Sequence, residues 1–209
     1  MPEPANERVA AFVLAGGKSS RMGRDKATLP WRGQTLLERA LEATRAVASV
    51  THIVGAAARF GLCGSVVEDI FPGRGPLGGI HAALRATDRE LNLILAVDLP
   101  FVTPALLAHL IQRAQEAPQM AVVPRLKTGW EPLCAVYRKE FLTIADGALG
   151  RGQNAIHPLL EDAIQGDARL GILAIDEQEL ANFGFSSRMF RNVNTATDLE
   201  AFGKETAQL

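Results

Sequence analysis

The sequence predicts an α/β fold, a single domain with a mostly parallel open sheet flanked by helices. Three observations carry this reading. Short apolar runs of strand length recur with helical patterns between them, the alternation that parallel strands and crossover helices produce. One run, Leu91 to Val97, is continuously apolar apart from Asn92, as expected of a strand buried on both faces. Nothing marks a domain boundary: there is no Pro/Ser/Gly linker, no block of like charge and no repeat at solenoid periods.

In chain order, "RVAAFVLA" (Arg8 to Ala15) is the first strand. A helix starts near Thr35, because Leu36, Leu37, Ala40, Leu41, Thr44 and Val47 fall at helical spacing and Thr35 with Glu38 can form a capping box. "THIVGA" and "CGSVVED" read as the second and third strands, and "PLGGIHAALRAT" as a helix fronted by glycines. "LNLILAVD" is the central strand and ends on Asp98. "TPALLAHLIQRAQEA" is a helix with Thr103 as its cap and Pro104 in its first position, and "MAVVP" is the next strand. Beyond Pro124 the pattern loosens: "PLCAVYR" and "LGILAID" read as strands, "KEFLTIADGAL" and "NAIHPLLEDAIQ" as short helices, and "TATDLEAFGKE" as a closing helix capped by Thr195 or Thr197. Residues 1–124 thus read as a first half and 125–209 as an elaboration of the same domain.

With 47% hydrophobic and 22% charged residues the composition is that of an ordinary globular chain, long enough to bury roughly 70% of its unfolded surface. A net charge of -1 argues against a protein that coats nucleic acid or an anionic membrane, so any anion site must be local. Cys63 and Cys134 lack metal or redox spacing and read as reduced core thiols. No signal peptide or membrane segment is evident, and the expected location is cytoplasmic. His52, His81, His109 and His157 share no metal-ligand spacing.

Between the first strand and the first long helix lies "VLAGGKSSRMGRDKATL", Val13 to Leu29. Its Gly17-Lys18-Ser19 suggests a Walker A loop, but Phe12 stands where that motif needs a glycine. A dinucleotide fingerprint fails because Gly16 and Gly17 are adjacent. What remains is a glycine turn at a strand's carboxyl end, where backbone N–H groups can approach an anion, followed by Lys18, Arg21, Arg24 and Lys26 against Asp25 alone. Open α/β sheets place ligands at that end of their strands.

"LAGGKSSRMGRDKATL" resembles the signature of nucleotidyltransferases that attach a nucleoside monophosphate to a small phosphorylated acceptor, and within them most resembles the molybdenum cofactor guanylyltransferase family. Three further segments agree in order: "VVEDIFPGRGPLGGIHAAL", "LAVDLPFVTPALL" and "NVNTATDLEAF". The likeness is dense from Phe12 to about Pro104 and returns at Asn192. It implies a Rossmann-like sheet of the nucleotide-diphospho-sugar transferase type, and transfer of GMP from GTP to the terminal phosphate of molybdopterin or Mo-molybdopterin with release of pyrophosphate.

On that resemblance Leu14, Ala15, Gly16 and Gly17 line the base and ribose, and Arg21 and Lys26 neutralise the triphosphate. Asp98 is the Mg²⁺ ligand and a catalytic residue together with Arg21 and Lys26. Asp69, after "SVVE", and Gly78, in "GRGPLGG", belong to the nucleotide side; Asn192 and Asn194 belong to the acceptor side. Gly55 stands where some members carry an asparagine that contacts the nucleotide. A phosphate monoester with a second pKa of about 6 can attack without a general base, so no His or Cys is required. Implied partners are molybdenum insertion proteins and apo-molybdoenzymes, with no nucleic acid and no membrane. Other readings stay open: CMP transfer to the same pterin, nucleotidyl transfer to another small phosphate, and a catalytically silent nucleotide or cofactor-delivery protein. Arg125, Lys127, Arg138 and Arg151 are candidate acceptor cations, and Trp130 and Tyr137 are either pocket wall or core.

Overall fold

The computed structural model describes residues 6–16, 26–71, 73–165, 171–193, 195 and 198. Gly17, Arg21 and Asn194 therefore lie outside the described residues, as does most of the expected closing helix. In chain order the elements are β1 (Asn6–Leu14), a 3-10 turn (Lys26–Thr28), β2 (Pro30–Trp31), β3 (Gln34–Thr35), α1 (Leu36–Arg45), β4 (Ala48–Val54), α2 (Ala57–Phe60), β5 (Val66–Val67), α3 (Gly75–Arg85) and β6 (Leu91–Ala96). There follow α4 (Pro104–Glu116), β7 (Ala121–Leu126), β8 (Gly129–Trp130), β9 (Cys134–Arg138), α5 (Phe141–Gly150), α6 (His157–Gln165), β10 (Ile172–Asp176), α7 (Glu177–Asn182) and a 3-10 turn at Ser187–Phe190.

The main sheet runs β10-β7-β9-β6-β1-β4-β5, with β8 on β7. β5, β4, β1 and β6 are mutually parallel, and so are β7 and β10. β9 is the exception: it inserts between β6 and β7 and runs antiparallel to both. The sheet is thus parallel on the side of the glycine turn and mixed on the other, where β9 is inserted between β6 and β7 and β10 forms the edge.

Alternation along β1 shows why these residues form a central strand. Val9, Ala11 and Val13 join one apolar cluster with α1 and α4, whereas Ala10, Phe12 and Leu14 join a second with α3, α5 and α6. Both faces are covered, giving three layers. Each fully buried large side chain among these, such as Phe12, Leu93 or Ile94, stabilises by about 1.5–3 kcal/mol. The capping box at Thr35 and Glu38 is present, and Thr103 caps α4 with Pro104 in the first turn. Thr195 and Asp198 exchange the same reciprocal side-chain to backbone bonds at the start of the closing segment.

The structure differs from the sequence reading in several places. β5 keeps only two residues of "CGSVVED", and α7 occupies "EQELAN", where no helix was expected. Its cap is Asp176, whose carboxylate accepts the Glu179 N–H. Cys63 is exposed, not a core thiol; Cys134 is buried, and burial together with the negative Glu131 pushes its thiol pKa well up. Trp130 and Tyr137 are core residues, their polar atoms satisfied by Glu161 and the Pro132 carbonyl. Arg138 is tied to the Gln119, Ala114 and Ala117 carbonyls and to Glu90, which makes it a clamp on the α4–β7 connection rather than an acceptor cation. Arg125 stacks on Trp130 and pairs with Glu161. No helix among the described residues is long and apolar enough to cross a membrane.

Candidate active site

A cleft of about 980 Å³ opens at the carboxyl ends of β1, β4 and β6. Its position follows from register. Leu14 at the end of β1 is level with Val54 on β4 and with Ala96 on β6, so the segments leaving all three strands emerge at one edge. Leu14, Ala15 and Gly16 line it, with Val54 to Ala56 from β4, Asp69 and Gly73 from the connection after β5, Pro76 and Gly79 from α3, and Val97 and Asp98 beyond β6.

Two candidate residues far apart in sequence meet here. Lys26 Nζ lies 3.1 Å from Asp98 Oδ2, with side chains 26% and 20% exposed. Lys26 is held by its 3-10 turn, in which Ala27 is buried and the Leu29 N–H bonds the Lys26 carbonyl. The Asp98 backbone is held from the other side, because its carbonyl accepts the Val193 N–H at 2.8 Å. That bond brings Val193, and with it the neighbouring exposed Asn192, against the site.

The glycine turn behaves differently from expectation at its first two peptides. The N–H groups of Ala15 and Gly16 both donate to the Val54 carbonyl, at 3.0 and 3.1 Å, so they close the β1–β4 edge instead of facing an anion. Among the described residues of this loop, Lys26 brings the positive charge.

Asp69 lines the cleft and its Oδ1 accepts the Phe71 N–H at 2.8 Å, folding the connection into α3. Gly78 is buried against this turn: a Cβ there would lie 3.1 Å from Asp69 Oδ2 and from the Phe71 carbonyl oxygen. Gly78 therefore makes room for Asp69, while Gly79 borders the cleft and packs on Leu14. Gly55 also has a packing reason. A Cβ there would sit 2.9 Å from two ring atoms of the buried Phe60, so Gly55→Ala is expected to destabilise by about 1–3 kcal/mol through overpacking. Urea unfolding measures this, and an unchanged midpoint would contradict it.

Three residues escaped the sequence reading. Arg59 and Glu68 border the cleft, and Glu68 Oε1 also accepts the Ala57 N–H at the start of α2. Arg59 lies in α2 and Glu68 directly after β5, and the β4–β5 pairing brings both to the cleft. The third is Glu131, half-buried after β8, whose carboxyl is raised to about 7 by burial. From an ordinary value of 4.5 the sign is clear. Below 4.5 the group is neutral in folded and unfolded chains; between 4.5 and 7 the unfolded chain releases the proton that the folded one keeps, so stability falls as pH rises, and the loss is complete above 7. Glu131→Gln is expected to gain stability relative to the parent at pH 8 compared with pH 5, read as the difference in urea midpoints. The same difference at both pH values would refute the assignment.

Among the described residues no group of three or more His, Cys, Asp or Glu side chains could hold a metal ion. A dedicated all-protein cage is therefore not what these residues form. The cleft instead offers a partly exposed carboxylate at a strand end beside a cation, the donor set suited to Mg²⁺ bound through one carboxylate, substrate phosphates and water.

Residues 11–177 match the MobA-like NTP transferase domain. A molybdenum cofactor guanylyltransferase of Desulfosudis oleivorans is 31% identical over 197 residues, 93% of this chain and 94% of the relative. A probable molybdenum cofactor guanylyltransferase of Opitutus terrae is 35% identical over 177 residues, 82% and 86% of the two chains. The solved structure of molybdopterin-guanine dinucleotide biosynthesis protein A from Archaeoglobus fulgidus superposes with a TM-score of 0.79 at 28% identity, covering 96% of this chain and all of that one.

Proposed function

Since the chain belongs to the MobA-like NTP transferase family, we propose that it is a guanylyltransferase: it transfers GMP from GTP to the terminal phosphate of molybdopterin and releases pyrophosphate. The names of its relatives support the reaction. The observation that carries the assignment of residues is the meeting of Lys26 and Asp98 at 3.1 Å in the cleft beyond β1 and β6.

In this reading an oxygen of the acceptor's terminal phosphate attacks the α-phosphorus of GTP in line. A new P–O bond forms, the bond to the bridging oxygen between α and β breaks, and the electron pair leaves with pyrophosphate. The acceptor phosphate is largely dianionic at neutral pH, so the chain need not remove a proton from it. Lys26, with Arg21 from the same loop, neutralises charge spread over the phosphate oxygens, which preorganised cations do best away from bulk water. Asp98 would hold Mg²⁺, which when bound supplies electrostatic stabilisation to the phosphates. Leu14, Ala15, Gly16 and Gly17 border the nucleoside, and the Asp69 turn supported by Gly78 shapes the base side. Asn192 and Asn194 are assigned to the acceptor side. Residues 1–124 carry the nucleotide half and 125–209 the acceptor half. Partners beyond the two substrates, namely molybdenum insertion proteins and apo-molybdoenzymes, and a cytoplasmic location follow the same reading.

Pyrophosphate release with molybdopterin, compared between GTP and CTP, tests the claim. Faster release with CTP would overturn the choice of guanine. Binding without turnover would favour a silent nucleotide carrier; GTP at about 100 times its Kd should raise stability by roughly 2.7 kcal/mol either way.

A further inference from the structure

The carboxylate of Glu131 has no assigned task, and its place in the sheet suggests one. Its backbone is anchored on both sides: its N–H donates to the Pro124 carbonyl at 2.9 Å, and its carbonyl accepts the Cys134 N–H at 3.1 Å. Two residues on, the Leu133 carbonyl accepts the Ala96 N–H at 2.7 Å, and Leu133 borders the same cleft as Asp98. Glu131 thus sits at the carboxyl-end edge of the sheet, where β6 and β7 finish.

Its side matters as much as its edge. The segments assigned to the nucleotide all leave β1, β4 and β5, on one side of β6, whereas Glu131 belongs to the β7–β9 side. Asp98 lies between them, at the end of the strand that divides the two. Leu133, two residues from Glu131, is the residue of this second side that borders the cleft.

The chemistry of the side chain narrows what that group presents. Among the described residues, no hydrogen bond or ion pair engages the Glu131 carboxylate, and the neighbouring cations are committed elsewhere, Arg125 to Glu161 and Lys127 to Glu177. A half-buried carboxylate without a partner is costly, and donors brought by a ligand would offset the cost. Ionised, the group only accepts, and two adjacent N–H donors suit its two oxygens. A pterin offers such a pair on its 2-amino-4-oxo edge. Guanine offers the same edge, but the guanine side of the cleft lies across β6.

We propose that Glu131 recognises the acceptor's pterin ring, one carboxylate oxygen accepting the ring N3–H and the other the 2-amino group. The proposal rests on the guanylyltransferase reading for the identity of the acceptor, and its test is independent of turnover. The parent, Glu131→Gln and Glu131→Asp are titrated at pH 8, where the carboxyl is ionised, by fluorescence with 2-amino-4-oxopteridine and with 2,4-dioxopteridine, which lacks the 2-amino group. The parent should bind the amino compound about tenfold or more tightly than the dioxo compound, as expected for hydrogen bonds to a charged group. Glu131→Gln should lose that preference, Glu131→Asp should retain part of it, and all three should keep the same Kd for GTP. In turnover, Glu131→Gln should raise KM for molybdopterin about tenfold with kcat little changed. Equal discrimination in parent and Glu131→Gln, or no binding of either pteridine to the parent, would overturn the proposal. Discrimination by the parent without GMP transfer would sink the guanylyltransferase reading and leave this one standing; transfer without discrimination would do the reverse.

Discussion

Asp98→Asn is expected to lower kcat for GMP transfer by roughly 100- to 1,000-fold, the cost typical of removing one preorganised electrostatic contact to a reacting centre. Asparagine preserves the shape of the side chain and leaves the Asp98 carbonyl free to accept the Val193 N–H, so the strand end and the following turn should stay in place. What disappears is a negative charge just beyond the end of β6, beside Lys26. Folding should change little: the Lys26–Asp98 ion pair is lost, but Lys26 is about one-quarter exposed, and pairs at that exposure contribute on the order of 1 kcal/mol or less. Pyrophosphate release measured beside a thermal melt separates the two effects. Equal rates in parent and variant would refute the metal-ligand role, and a collapsed melt would show that Asp98 serves the fold first.

Lys26→Met should cost a further large factor, also about 100-fold or more in kcat, because a cation held by its backbone needs no reorganisation as charge shifts on the phosphates. The methionine keeps most of the apolar stem, and the buried Ala27 beside it keeps the 3-10 turn anchored. Lys26 and Asp98 touch, so their effects should not add. The double variant is expected near the slower single variant, as for residues that act as a unit. Losses that multiply would mean that the two act separately.

Much of the fold was legible because it is written locally. Period-two alternation at Val9 to Leu14, the capping box at Thr35 and Glu38, and Thr103 before Pro104 each report on neighbours within a few residues. Other features depend on partners that no local window contains. β9 reads as a strand from its composition, yet its insertion between β6 and β7 is a choice of pairing. Gly78 is conspicuous in "GPLGG", but only the turn at Asp69 explains why a Cβ is excluded. Glu131 resembles any polar residue after a strand until Leu133 is seen bonding Ala96.

The candidate site divides in the same way. The sequence by itself determined its chemical parts: a strand ending in a glycine turn rich in cations, and a buried strand ending in an acid. Short-range sterics and hydrophobic burial place such turns at strand ends whatever the rest of the chain does. The resemblance assigned Lys26 and Asp98 to one site, and the tertiary structure supplies the reason why residues 72 positions apart share a cleft. β1 and β6 are direct parallel neighbours with Leu14 level with Ala96, and parallel strands in register must release their following segments at the same edge of the sheet.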